Sequence, residues 1–188
     1  ALDLSATERR LDALSAGLTS PSKVRLLVGP GGEMAVEARP LAEGTLPEPL
    51  RLGLAREPVH SGDVWLYHKT TRRDAYDNAR AARPDCDEVI LWNERGELTE
   101  TTIANLVLEI DGRRYTPPVS SGLLAGTMRA NLLEQGEVTE RVLLLGDLSQ
   151  ASRIWLINSV RGRLPAIIHS SCCGLFPAFI PWGIEILT

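Results

Sequence analysis

Lysine is nearly absent from this sequence. Of the 20 basic residues among its 188, only Lys23 and Lys69 are lysine and the other 18 are arginine. An arginine-rich coding bias can produce that pattern with no function behind it. The chemical consequence holds either way: arginine keeps its proton in a protein, so amine chemistry has very few places to happen. Cysteine is scarce too. Cys86, Cys172 and Cys173 are too few for a disulfide framework, and the plain expectation is a reduced, cytoplasmic setting. His60, His68 and His169 are scattered, with no CxxC or HExxH spacing, so no metal site is expected. Basic excess is missing as well: 20 basic against 24 acidic residues gives a net charge of −4, which suggests neither a nucleic-acid nor an anionic-membrane partner. The most apolar stretch, 172–187, carries Pro177, Pro181 and Glu185 and is too short and broken to span a bilayer. Residues 1–19 space their charges like a helix, not like a signal peptide.

What is present is the balance of a globular protein, 44% hydrophobic and 23% charged. Ser5-Ala6-Thr7-Glu8 reads as a capping box ahead of a helix with Leu4, Leu11, Leu14 and Leu18 on one face. A hairpin follows, 23–29 and 33–38, turning at Gly29-Pro30-Gly31-Gly32. Pro40, Gly44, Pro47 and Pro49 mark a linker and the only plausible domain boundary. Beyond it, strands are expected at Leu50 to Leu54, Val64 to Lys69, Glu88 to Trp92, Asn105 to Ile110, Arg113 to Thr116, Val138 to Leu144 and Arg153 to Ile157. Helices are expected after Thr70 or Thr71, from Gly126 to Leu133, and briefly at Leu148 to Ser152. Strands with interspersed helices and hairpins make an α+β chain.

Four places invite chemistry. Lys69, at the end of an apolar run, can act as a nucleophilic amine; taken alone, such a lysine is more often a snorkelling side chain at a strand end. Glu100, followed by Thr101, Thr102 and Asn105, can neutralise a buried cation or equally be a surface-loop acid. Gly126 opens a helix whose first N–H groups, at Thr127 and Met128, can hold a phosphate. The Asn158-Ser159-Val160-Arg161-Gly162 loop offers a second set of N–H groups to the same anion.

The order of these segments is more specific than any one of them. A lysine before a polar helix is followed by the E-x-x-x-x-N spacing of Glu100 and Asn105, then Thr116-Pro117, then a G-x-L-x-G-x-x-R element at Gly122, Leu124, Gly126 and Arg129. This resembles the fold-type-IV pyridoxal-phosphate enzymes, the class-IV aminotransferase superfamily, over about residues 25–165. Within it, the segments 67–74 and 87–93 look most like the aminodeoxychorismate lyases, and in particular the lyase domain fused behind aminodeoxychorismate synthase.

The resemblance implies a barrel-like large domain with a mixed, mostly antiparallel sheet, and a truncated small α/β domain. The corresponding division is a small-domain remnant at 1–47, a cofactor-binding domain at 48–168 and an atypical tail at 169–188. It implies pyridoxal 5'-phosphate as cofactor, with the Schiff base on Lys69, the pyridinium-nitrogen partner on Glu100, and the phosphate at Thr127, Met128, Ser159 and Val160. The implied reaction cleaves 4-amino-4-deoxychorismate to 4-aminobenzoate and pyruvate, a step toward folate. The alternatives are an aminotransferase of branched-chain or D-amino acids, and an inactive, cofactor-free fragment of such an enzyme. A homodimer is expected, fused to or associated with aminodeoxychorismate synthase. An arginine-bearing segment that clamps the phosphate is expected ahead of this chain, since Arg9 and Arg10 lie in a helix with different spacing.

Overall fold

A computed structural model describes residues 3–41 and 46–169. Of the expected tail at 169–188, residues 170–188, with Cys172 and Cys173, lie outside the described residues. The chain divides into two compact units, Ala1–Leu46 and Pro47–Thr188.

The first unit is helix α1 (Leu4–Ser15) followed by a hairpin of β1 (Ser22–Val28) and β2 (Met34–Pro40). The strands pair antiparallel, with Val24 opposite Ala38 and Leu26 opposite Val36. The cap of α1 differs from the Ser5–Glu8 box. Asp3 is the N-cap, and its side chain accepts from the Ala6 N–H at 2.9 Å. A carboxylate also favours the positive end of the helix.

The second unit contains strands β3 (Leu50–Leu54), β4 (Glu88–Trp92), β5 (Leu98–Thr101), β6 (Asn105–Ile110), β7 (Arg113–Thr116), β8 (Thr139–Glu140), β9 (Arg153–Asn158) and β10 (Gly162–Ile168). Helices α2 (Asp74–Ala81) and α3 (Thr127–Glu134) pack on them. The sheet order is β5-β4-β3-β10-β9-β6-β7-β8, and β5 also pairs with β6. That extra pairing closes six strands into a barrel, which leaves β7 and β8 as an extension. Strand β3 runs parallel to both β4 and β10, and β7 parallel to β8; the other pairs are antiparallel.

Two-residue alternation distributes the apolar side chains. Val89 and Leu91 pack beneath α2 with Tyr76, Ala75 and Ala79. Val107 and Ile157 pack beneath α3 with Met128, Leu132 and Leu133. The intervening Ile90, Leu106, Leu108 and Leu156 point the other way and are fully buried in the barrel interior. The β6–β7 hairpin turns at Asp111 and Gly112 with φ of 51° and 72°. Those left-handed conformations match the twist of the strands they join.

Several expected elements take other forms. Residues Val64–Tyr67 form a 3-10 turn, and Lys69 follows it in irregular chain. The Asp63 side chain starts that turn by accepting from the Trp65 N–H at 3.0 Å. Helix α2 begins after Arg73 with no side-chain cap, although Asp74 and Asp77 sit in its first turn. Of the expected strand at 138–144, Thr139 and Glu140 pair with β7 and Leu144 forms an isolated bridge to Glu97, and a 3-10 turn at Leu145–Ser149 replaces the short helix.

Candidate active site

The β5–β6 and β9–β10 turns emerge at the same end of the barrel. Asn105 pairs with Glu100 on one side and with Ile157 on the other, which brings both turns level. The Asn158 amide joins them by donating to the Ile103 carbonyl at 3.3 Å. Helix α3 starts at this end as well, because the Asn105 amide donates to the Leu124 carbonyl at 2.9 Å.

Glu100 lies at the centre of this arrangement and is only 4% exposed. Its Oε1 accepts from the Tyr76 hydroxyl at 2.7 Å and from the Leu124 N–H at 3.0 Å. Its Oε2 accepts from the Asn105 amide at 3.2 Å. Burial pushes the carboxyl up to about 7, against the pull of these donors and of the positive charges on Lys69 and Arg73. A buried carboxylate of that kind is stabilised by any further cation brought beside it. Lys69 itself is exposed. Its ammonium acts on Glu100 through charge, so the two residues the sequence singles out share one electrostatic environment.

The candidate anion-binding half is built from backbone and hydroxyl groups. Gly126 is the N-cap of α3, and the first hydrogen bond of the helix runs from the Ala130 N–H to the Gly126 carbonyl at 2.9 Å. The N–H groups of Thr127 and Met128 precede that bond and point out of the helix start. A side chain at Gly126 would force a shift, since a Cβ there would lie 2.2 Å from Asn105 Oδ1. The Thr127 and Ser159 hydroxyls are 2.5 Å apart, which ties the helix start to the β9–β10 turn. Val160 differs from its neighbours: its N–H donates to Asn158 Oδ1 at 3.0 Å and is already engaged. Arg129 is buried beneath the site and donates to the Pro117 carbonyl at 2.8 Å and to Glu140, a supporting role.

Residues 6–167 match the model of the class IV amino-transferase family. The chain belongs to that family. It is 33% identical over 152 residues to a Schizosaccharomyces pombe protein provisionally named aminodeoxychorismate lyase, covering 76% of this chain and 65% of that one. Among solved structures, it is similar to a Mesorhizobium loti protein provisionally named an amino-acid aminotransferase, with TM-score 0.80 and 35% identity, covering 90% of this chain and 83% of that one. A Thermotoga maritima protein, provisionally named a branched-chain amino acid aminotransferase, follows with TM-score 0.79, 25% identity, and coverage of 88% and 63%. The chain thus spans just under two-thirds of the length of its Schizosaccharomyces pombe relative.

In this class IV aminotransferase chain, the fold confirms the expected α+β architecture with a barrel-like large domain. Among the described residues no helix is long and apolar enough to cross a membrane, and no group of three His, Cys, Asp or Glu is gathered for a metal. Sequence reasoning missed Tyr76 and the Leu124 N–H, and it named Asn158 as part of the loop of N–H donors without its side-chain role. Tyr76 left one signal, as the only aromatic residue in a helix otherwise made of alanine, asparagine and charged side chains.

Proposed function

We propose that this chain is a pyridoxal-phosphate-dependent lyase that cleaves 4-amino-4-deoxychorismate to 4-aminobenzoate and pyruvate. The observation that carries the cofactor is the buried Glu100 carboxylate, held by three donors in the field of the Lys69 ammonium. Similarity to the Schizosaccharomyces pombe protein supports the lyase reading over its relatives.

The residues fit this cofactor. Lys69 offers an amine for its aldehyde. Glu100 Oε2, with one described donor, has room to accept from a protonated ring nitrogen. The Thr127 and Met128 N–H groups and the Thr127 and Ser159 hydroxyls offer donors to its phosphate. Val160 adds its N–H only if Asn158 releases it. When bound, the cofactor supplies an electron sink for a carbanion at the amine-bearing carbon.

The chain's own groups then account for the proton traffic. Lys69, as a free amine, takes the proton from the amine-bearing carbon of the substrate. Glu100, as a carboxylate, stabilises positive charge beside it while electrons withdraw from that carbon. The ring C–O bond breaks, and its electron pair leaves with the enolpyruvyl oxygen as the ring becomes aromatic. A proton on the enol methylene completes pyruvate. Substrate and the two products balance without water or an oxidant.

The Mesorhizobium loti and Thermotoga maritima similarities favour a second reading, an aminotransferase. The same Lys69 and Glu100 serve it, with Lys69 returning the proton in place of C–O cleavage. Incubating the chain and cofactor with 4-amino-4-deoxychorismate distinguishes the two. The lyase reading expects 4-aminobenzoate and pyruvate in equal amounts with no keto acid added. Turnover only with an amino donor and a keto acid overturns it.

A further inference from the structure

Helix α2 starts five residues after Lys69, and it carries a side chain that reaches the other end of the same site. The Tyr76 ring is buried with Val89 and Leu91, while its hydroxyl donates to Glu100 Oε1 at 2.7 Å. The Arg73 guanidinium lies over that ring, 4.7 Å from its centre. The same guanidinium donates to the Thr102 carbonyl in the β5–β6 turn and faces Asp77 at 3.9 Å. One turn of α2 therefore grips the turn that carries Glu100 from two directions, through an aromatic hydroxyl and a stacked cation.

We infer that Tyr76 is a positioning residue for Glu100, that Arg73 holds Tyr76 in place, and that the pair keeps the carboxylate ionised and oriented toward a bound cation. The cation is the protonated ring nitrogen, so this inference rests on the cofactor reading above. The reasoning is one of competing forces. Burial favours the neutral acid, and a hydrogen bond donated to the charged form opposes burial. The charged groups that face Glu100 are Lys69 and Arg73, with Asp63 acting on Tyr76. Loss of the hydroxyl removes one of the two donors on Oε1 and leaves the Leu124 N–H alone there. Tyr76 itself stays protonated as a donor, because burial and the nearby carboxylate push its ionisation up.

The test reads Glu100 directly in the full, cofactor-free chain, by carbon-detected NMR titration of its side-chain carboxyl, assigned with Glu100→Gln. Tyr76→Phe is expected to raise the titration midpoint by about one pH unit, a loss of ionised Glu100 of about fivefold at the original midpoint and about tenfold well below it. Arg73→Lys keeps the charge but loses the planar stack, and is expected to raise the midpoint by a smaller amount. This second variant decides the matter if Tyr76→Phe does not fold. An unchanged midpoint in whichever variants fold overturns the inference. The same variants are then titrated with pyridoxal phosphate by visible absorbance across pH. Binding should weaken by about fivefold near neutral pH and recover at higher pH, following the shifted midpoint. Weakening that is equal at every pH marks a merely structural residue and overturns the positioning role. If the unsubstituted chain binds no cofactor, the cofactor reading fails, while the carboxyl titration still decides whether Tyr76 governs Glu100.

Discussion

Glu100 and Asn105 face each other across the one residue pair that joins β5 to β6, and their side chains are hydrogen-bonded at 3.2 Å. The contact that closes the barrel is therefore also a contact of the candidate active site. Asn105 spends its second amide hydrogen on the Leu124 carbonyl, at 2.9 Å, and so fixes the chain that leads into α3. One asparagine connects the carboxylate proposed to receive a cation to the helix start proposed to receive an anion. Barrel closure and site geometry cannot vary independently.

Replacing Asn105 with alanine should cost both stability and order at the site. The substitution leaves a buried carboxylate oxygen and the Leu124 carbonyl without their donor. Unsatisfied buried groups of this kind cost about 1–3 kcal/mol each, more for a charged one. Denaturant unfolding of the cofactor-free chain checks this, with an expected loss of about 2–4 kcal/mol. A loss below about 0.5 kcal/mol, typical of an exposed surface change, would show that the bridge is not structural.

Gly126→Ala should reproduce part of that damage from the opposite side. The new Cβ would lie 2.2 Å from Asn105 Oδ1, far inside contact distance, so Asn105 or the helix start must move. Overpacking costs about 1–3 kcal/mol, and here it also displaces a ligand of Glu100. In the double variant with Asn105→Ala the clash disappears. The two costs should then fall well short of additive, and full additivity would place the strain elsewhere.

The parts of this protein that were legible in its sequence are those set by chemistry or by local pattern. Lys69, Glu100 and the Gly126 helix start could be singled out because an amine, a carboxylate between strands, and a glycine before a helix are unusual residues for their settings. The Asp111-Gly112 hairpin was equally local. Tyr76 was not legible, because its partner is 24 residues away and the contact depends on how α2 packs against β4. The run Val64-Trp65-Leu66-Tyr67 has strand propensity, yet Asp63 starts a turn there and only Leu66 is buried. Strand β10 is concealed by Pro165, which normally argues against an interior strand. It is tolerated because the ladder to β3 begins one residue later, at Ala166. Val160 shows the same limit at the site. Its N–H looked available until Asn158 folded over the turn to accept it.

The raised acidity range of Glu100 predicts how stability varies with pH. Its folded value of about 7 lies above the roughly 4.3 of an unfolded glutamate. Between those values the folded chain binds more protons than the unfolded one, so the carboxyl's contribution favours folding at low pH and is lost as pH rises through about 7. Glu100→Gln imitates the neutral acid at every pH. In the cofactor-free chain it should therefore match the unsubstituted protein near pH 4 and be more stable near pH 8, by about 3 kcal/mol. Thermal midpoints at the two pH values provide the measurement. An equal difference at both would mean that Glu100 is not desolvated as described.

Lys69→Arg separates charge from nucleophilicity. Lys69 is exposed, and arginine keeps its positive charge near Glu100, so folding should change by no more than about 0.5 kcal/mol. Arginine does not lose its proton in a protein, however, and offers no amine to an aldehyde. With pyridoxal phosphate the unsubstituted chain should develop a visible absorption band that the variant lacks, and lyase turnover should fall to background. Lys23 provides the control, because Lys23→Arg lies on the β1–β2 hairpin and should keep both band and turnover. If Lys69→Arg retained them instead, the amine would have to come from another group, and the assignment of Lys69 would fail. The chain uses arginine at 18 of its 20 basic positions, and Lys69 is the position where the proposed aldehyde chemistry would not tolerate it.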